Sequence, residues 1–113
     1  MEFDKSYLVA FKFLDYYYFN VNYNENKKGF LGAMLGAMNP DNEFLGGIPD
    51  IAYYNEWIDV LKTDNSYLEC FIKYAEFYIE KYDFSFLLPV LDYLNTDLGR
   101  DKFFEIQKKY WTD

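Results

Sequence analysis

Five carboxylates set the chemical question in this sequence: Glu56, Asp59, Glu69, Glu76 and Glu80. Glu76 and Glu80 stand four residues apart, so on a helix they share one face, a turn apart. Such a pair could hold a metal ion or divide acid and base duties in a hydrolysis. On an exposed helix face the plainer reading is a solvated acidic surface, and the rest of the chain favours it. There is no histidine, which removes the commonest general base and metal ligand. Cys70 is the only cysteine, and without histidine it makes neither a zinc site nor a Cys–His nucleophile. Ser6, Ser66 and Ser85 lack a base partner of any usual kind. The glycines of GFLGAMLGAM (29–38) follow no strand and precede no Lys-Ser/Thr, so they do not form a phosphate loop. Asp41-Asn42-Glu43 carries only a fragment of a calcium loop's ligand spacing. The expectation is a chain with no catalytic residue, no metal and no cofactor. Its carboxylates then become candidates for contact with a partner.

The distribution of charge sharpens that reading. The formal net charge is −8 over 113 residues, and the acidity is local. Positions 41–97 hold twelve acidic and three basic residues, a balance of −9, whereas the rest of the chain stands at +1. This argues against direct binding of nucleic acid or an anionic membrane and fits a basic protein partner. A simple need for solubility explains it equally well. Like charges at the Glu76–Glu80 spacing cost about 0.2–0.5 kcal/mol, which a basic partner would offset. A single cysteine allows no internal disulfide and fits a reducing compartment. With no leader pattern and no uncharged run long enough to span a bilayer, a cytoplasmic location is expected.

The elements that must position these groups read as helices. Hydrophobic residues make up 51% of the chain and aromatic residues 24%, enough for one modest core without metals or disulfides. Residues 6–19 are apolar nearly all round, with Tyr7, Phe11, Leu14 and Tyr18 on one face, which places this helix centrally in a bundle. A strand over 16–23 is the competing reading, because aromatics favour strands. Asn20, Asn22, Asn24 and Asn26 mark a polar loop. Residues 30–38 follow as a short helix whose Gly32 and Gly36 leave a smooth side for another helix to approach. Pro40, Gly46-Gly47 and Pro49 make 39–49 a loop, and Asp50 is a plausible cap for a helix over 50–61. Trp57 and Tyr54 on that helix belong to the core. Ser66 and Glu69 have capping-box spacing at the head of the clearest amphipathic helix. Leu68, Phe71, Ile72, Ala75, Ile79 and Tyr82 point inward from it, and Glu69, Lys73, Glu76 and Glu80 outward. Asp83 and Ser85 are candidate caps for the next helix, where Pro89 requires a start near Leu88. A last helix, 98–111, follows the break at Asn95-Thr96-Asp97. The fold class is all-α, a single compact bundle of five to six helices in one domain, 1–113. A faint echo relates Ser6-Tyr7-Leu8, Phe11 and Tyr18 to Ser66-Tyr67-Leu68, Phe71 and Tyr78, and duplication and chance explain it equally.

One stretch carries a resemblance. Leu35-Gly36-Ala37-Met38 is followed, after a loop, by Asp50-Ile51-Ala52-Tyr53-Tyr54-Asn55-Glu56-Trp57. This resembles a pattern in small bacterial helical proteins: Leu-Gly-x-Met, then Asp-x-Ala-x-aromatic-x-acidic-Trp, after an aromatic-rich first helix. It is the pattern of immunity proteins of contact-dependent growth inhibition and related polymorphic-toxin systems. It spans residues 6–61, with Tyr54 where Trp is usual and Ile51 where Pro is frequent. The resemblance implies a cytosolic antitoxin that binds one cognate C-terminal toxin domain, one-to-one, and occludes its active site. Toxins of this group are often basic nucleases, which an acidic antitoxin would complement by charge. Glu56, Asp59, Glu69, Glu76 and Glu80 are then the candidate partner-binding residues. The alternatives are a helical protein-binding adaptor or regulator unrelated to toxins and, more distantly, a small enzyme using paired carboxylates. A neighbouring frame encoding a large secreted protein with a variable C-terminal domain would favour immunity; a metabolic operon would favour the adaptor.

Overall fold

The computed structural model describes residues 3–40, 51–62 and 66–111. Among these residues the chain forms seven α-helices and one 3₁₀ turn, with no strand. The helices are α1 (Lys5–Asn20), α2 (Tyr23–Asn26), α3 (Leu31–Met38), α4 (Ile51–Leu61) and α5 (Tyr67–Tyr82). After the 3₁₀ turn Ser85–Leu87 come α6 (Leu88–Leu94) and α7 (Asp97–Trp111). The all-α expectation holds. The helix count exceeds five to six by one short element, α2, inside the stretch read as a polar loop. Asn22 enters α2 from the left-handed region at φ 55°, a conformation asparagine tolerates. Its role lies with α1: the Asn26 side-chain amide faces the carbonyls of Tyr17, Tyr18 and Val21 at 3.1, 3.0 and 2.6 Å. Carbonyls at a helix C-terminus lack partners within the helix, so one asparagine from the next element closes α1. The strand reading of 16–23 fails because residues 16–20 complete that helix.

α1 is apolar on nearly every side because it is the centre of the bundle. Phe13 meets Phe71 of α5 and Phe103 of α7, edge-on, each at 5.4 Å. The Tyr7 hydroxyl donates to the Met38 carbonyl at the end of α3, at 2.8 Å. The buried face is wider than the Tyr7–Phe11–Leu14–Tyr18 line. Tyr17 is buried, whereas Tyr18 is half-buried with its hydroxyl 3.0 Å from where a Cβ on Gly32 would stand. The smooth side expected of the two glycines is therefore used at Gly32 alone, and by a ring; a Cβ on exposed Gly36 would meet nothing within 4 Å.

Ser66 caps α5 as expected, its hydroxyl accepting the Glu69 N–H at 3.3 Å. The buried face of α5 is Leu68, Cys70, Phe71, Tyr74, Ala75 and Tyr78; Tyr82, expected inside, is exposed. Asp83 does not start the next helix. It ends α5 in the left-handed region at φ 58°, with its N–H bound to the Tyr78 carbonyl. α6 begins at Leu88 with Pro89 in its first turn, where a missing N–H is harmless. The expected cap at Asp50 lies outside the described residues. The sequence echo does not extend to structural roles, since Ser66 caps α5 while Ser6 lies buried within α1, which Asp4 caps.

Thr96 fixes the junction of α6 and α7: its hydroxyl donates to the Tyr93 carbonyl at 2.6 Å and accepts the Gly99 N–H at 3.1 Å. That tight corner presses Gly99 onto the end of α6. A Cβ at Gly99 would stand 2.0 Å from the Tyr93 carbonyl oxygen, a backbone atom that cannot step aside. Gly99→Ala is expected to destabilise the fold by about 1–3 kcal/mol through overpacking. Helix propensity alone predicts the opposite sign, so denaturant unfolding of this one variant separates the two effects.

Candidate interaction face

All five predicted residues lie on α4 and α5, which pack side by side. Tyr74 is the joint between them: its hydroxyl donates to the Tyr53 carbonyl at 2.7 Å, and its ring meets Trp57 edge-on at 5.2 Å. Tyr53 stacks on Tyr78 at 5.3 Å. This aromatic clamp holds the outward residues of both helices on one fixed surface.

Glu69, Glu76 and Glu80 are exposed on α5. Their spacing sets them on one stripe about 16 Å long, with Lys73 between Glu69 and Glu76. Glu56 and Asp59 line a shallow groove of about 270 Å³ between α4 and α5, together with Val60, Lys73 and Phe77. The five carboxylates thus form two groups that meet at Lys73 rather than a single cluster. Asp59 pairs with Lys62 at 3.7 Å, but both side chains are over 70% exposed, so the pair contributes at most about 1 kcal/mol.

Glu56 departs from the expectation of a solvated charge. It is half-buried, with Oε1 at a long 3.5 Å from the Tyr82 hydroxyl and Oε2 enclosed without a hydrogen-bond partner. Burial first, and the Glu56 charge further down, push the Tyr78 hydroxyl far above the ordinary phenol range. Tyr74 is raised as well, again chiefly by burial. Tyr93 is pushed up to about 12 by burial and then by Tyr16. A phenol raised above its unfolded value of about 10 stabilises the fold fully below that pH, and the contribution fades as pH climbs through the folded value. Alkaline difference spectroscopy is therefore expected to show Tyr74 and Tyr78 ionising only as the helices are lost. A smooth titration of all thirteen tyrosines with helicity intact would contradict their burial.

Cys70, Ser6 and Ser66, which the sequence leaves without a base partner, have structural positions. Cys70 is buried. Ser6 is buried, accepts the Trp57 indole N–H at 2.8 Å and donates to the Asp4 carboxylate. Ser66 is a helix cap. Among the described residues no three of His, Cys, Asp or Glu gather into a metal-binding set. No helix among them is long and apolar enough to cross a membrane.

Sequence reasoning missed a neighbouring feature. Where α5 ends, Phe30, Tyr53, Tyr82, Phe84 and Phe86 line an open pocket of about 610 Å³ with Asp83 in its wall. Its signal was the alternation Tyr82-Asp83-Phe84-Ser85-Phe86, which throws three rings to one side once the helix stops.

The described residues of the Leu-Gly-x-Met and Asp-x-Ala-x-Tyr-x-Glu-Trp pattern are mostly architectural. Met38 is buried and gives its carbonyl to Tyr7. The Tyr54 hydroxyl accepts the Asp4 N–H at 3.1 Å, and Trp57 reaches Ser6 two residues on. Together they tie α3 and α4 onto the head of α1. Comparison with protein-family models, with curated proteins and with solved structures returned no match.

Proposed function

We propose that this chain is an immunity protein of the contact-dependent growth inhibition type. It binds a cognate C-terminal toxin domain one-to-one in the cytosol and blocks the toxin's active site by occlusion, with no chemistry of its own. The observation that carries the reading is the acidic stripe of Glu69, Glu76 and Glu80 on a helix whose opposite face is locked into the core. A stripe set on a clamped helix meets its partner without first losing conformational freedom. The resemblance over residues 6–61 supplies the class of protein, and the −9 balance of positions 41–97 favours a basic partner such as a nuclease. The test is co-expression with the toxin domain encoded immediately upstream. Cells carrying this chain are expected to survive and cells without it to die. Equal killing would remove immunity as the function and leave a helical adaptor in its place.

A further inference from the structure

The pocket at the end of α5 is preformed. The Tyr82 and Phe84 rings lie 5.9 Å apart and those of Phe84 and Phe86 4.9 Å apart. Behind them Tyr78 stacks on both Tyr82 and Phe84, each at 5.4 Å. Phe30 is 74% exposed and Tyr82 43%, so ring surface is open to a ligand. Among the described residues lining the pocket, Asp83 is the only charged one. Its backbone is fixed by the left-handed turn that ends α5.

That composition selects the occupant. An apolar side chain would cover the rings but leave the exposed Asp83 carboxylate unused. An anion would meet both the carboxylate and the negative faces of the rings. A cation gains from both, through the ring quadrupole and through pairing with the carboxylate. The chain already uses this interaction next door, where Lys81 Nζ lies 5.4 Å from the centroid of the Tyr82 ring. A guanidinium also stacks flat on a ring and offers a carboxylate two parallel donors, which an ammonium cannot. We propose that this pocket seats an arginine side chain of the partner protein. The identity of that partner rests on the immunity reading.

The test uses the full chain and two probes, N-acetyl-arginine amide and its uncharged counterpart of similar shape, N-acetyl-citrulline amide. Aromatic NMR shifts of Tyr82, Phe84 and Phe86 report binding. The arginine probe is expected to move all three and to bind about two- to fivefold more tightly than the citrulline probe, the scale of one exposed charge contact. Asp83→Asn removes the charge yet keeps a residue that tolerates the left-handed backbone. It is expected to bring arginine binding down to the citrulline level with an unchanged melt. In the complex, the same variant is expected to lose about two- to fivefold in affinity for the toxin domain. Equal binding of both probes, binding of neither, or an Asp83→Asn chain that still prefers arginine would overturn the cation site. A toxin complex indifferent to Asp83→Asn would overturn its assignment to the partner. The titration contains no toxin, so its failure leaves immunity standing, and failed protection leaves the cation site standing.

Discussion

Replacing Trp57 with alanine is expected to destabilise the protein by about 3–5 kcal/mol, a large share of the roughly 5–15 kcal/mol that holds an ordinary domain together. The indole is fully buried between α1, α4 and α5. It meets Tyr74 edge-on at 5.2 Å and donates its N–H to Ser6 at 2.8 Å. Truncation leaves a cavity at the point where α4 is tied to the head of α1, and closely packed neighbours collapse into such a space only in part. Trp57→Phe separates the two losses. It keeps most of the ring volume and drops the hydrogen bond, while Ser6 retains its bond to Asp4. A cost of about 1–2 kcal/mol is expected for that variant. Urea unfolding followed by far-UV circular dichroism measures both. If the alanine variant unfolds at the parental midpoint, the indole is not in the core and belongs to an exposed surface instead.

What could be read in the sequence was whatever depends on one helix at a time. The polar line Glu69–Lys73–Glu76–Glu80 is the complement of an apolar face, so a single periodicity gives both. The Ser66 cap and the start of α6 before Pro89 follow from backbone chemistry that does not depend on neighbours. The features that escaped are set between elements. Asparagine favours turns, and α2 forms where its last residue can close the end of α1, an interaction nine residues away from Tyr17. Tyr82 counts as apolar in any periodic pattern, yet its ring opens onto a pocket because α5 ends with it. Glu56 reads as a surface charge along α4 alone. Its enclosure comes from the tyrosines of α5, among them Tyr82, twenty-six positions further on. Asp83 fits both a helix start and a left-handed helix end, and the 3₁₀ turn after it decides between them.

Reversing Glu69, Glu76 and Glu80 together to lysine is expected to have the largest effect on function. All three side chains are exposed, and the bond that caps α5 uses the Glu69 backbone N–H, so the core and the cap are left in place. The reversal keeps the Glu76–Glu80 repulsion with its sign inverted, turns the attraction of Lys73 to positions 69 and 76 into repulsion, and loses a favourable carboxylate from the first turn of α5. The melt should fall modestly, by about 1–2 kcal/mol in stability. The partner meets a different surface. The chain's net charge moves from −8 to −2, and the stripe itself turns positive. Against a basic toxin domain, steering becomes repulsion. Association at low salt is expected to slow by about 10- to 100-fold. The difference should shrink with added salt, because charges interact over roughly 30 Å at 0.01 M ionic strength but only about 8 Å at 0.15 M. Single reversals should each change binding by no more than about 1 kcal/mol. Stopped-flow association at two ionic strengths, beside a thermal melt and the protection assay, reads all of this together. An intact fold with slowed, salt-sensitive association identifies the stripe as the contact surface. An unchanged association rate at low salt, with protection retained, would move the interface to another face while leaving immunity in place.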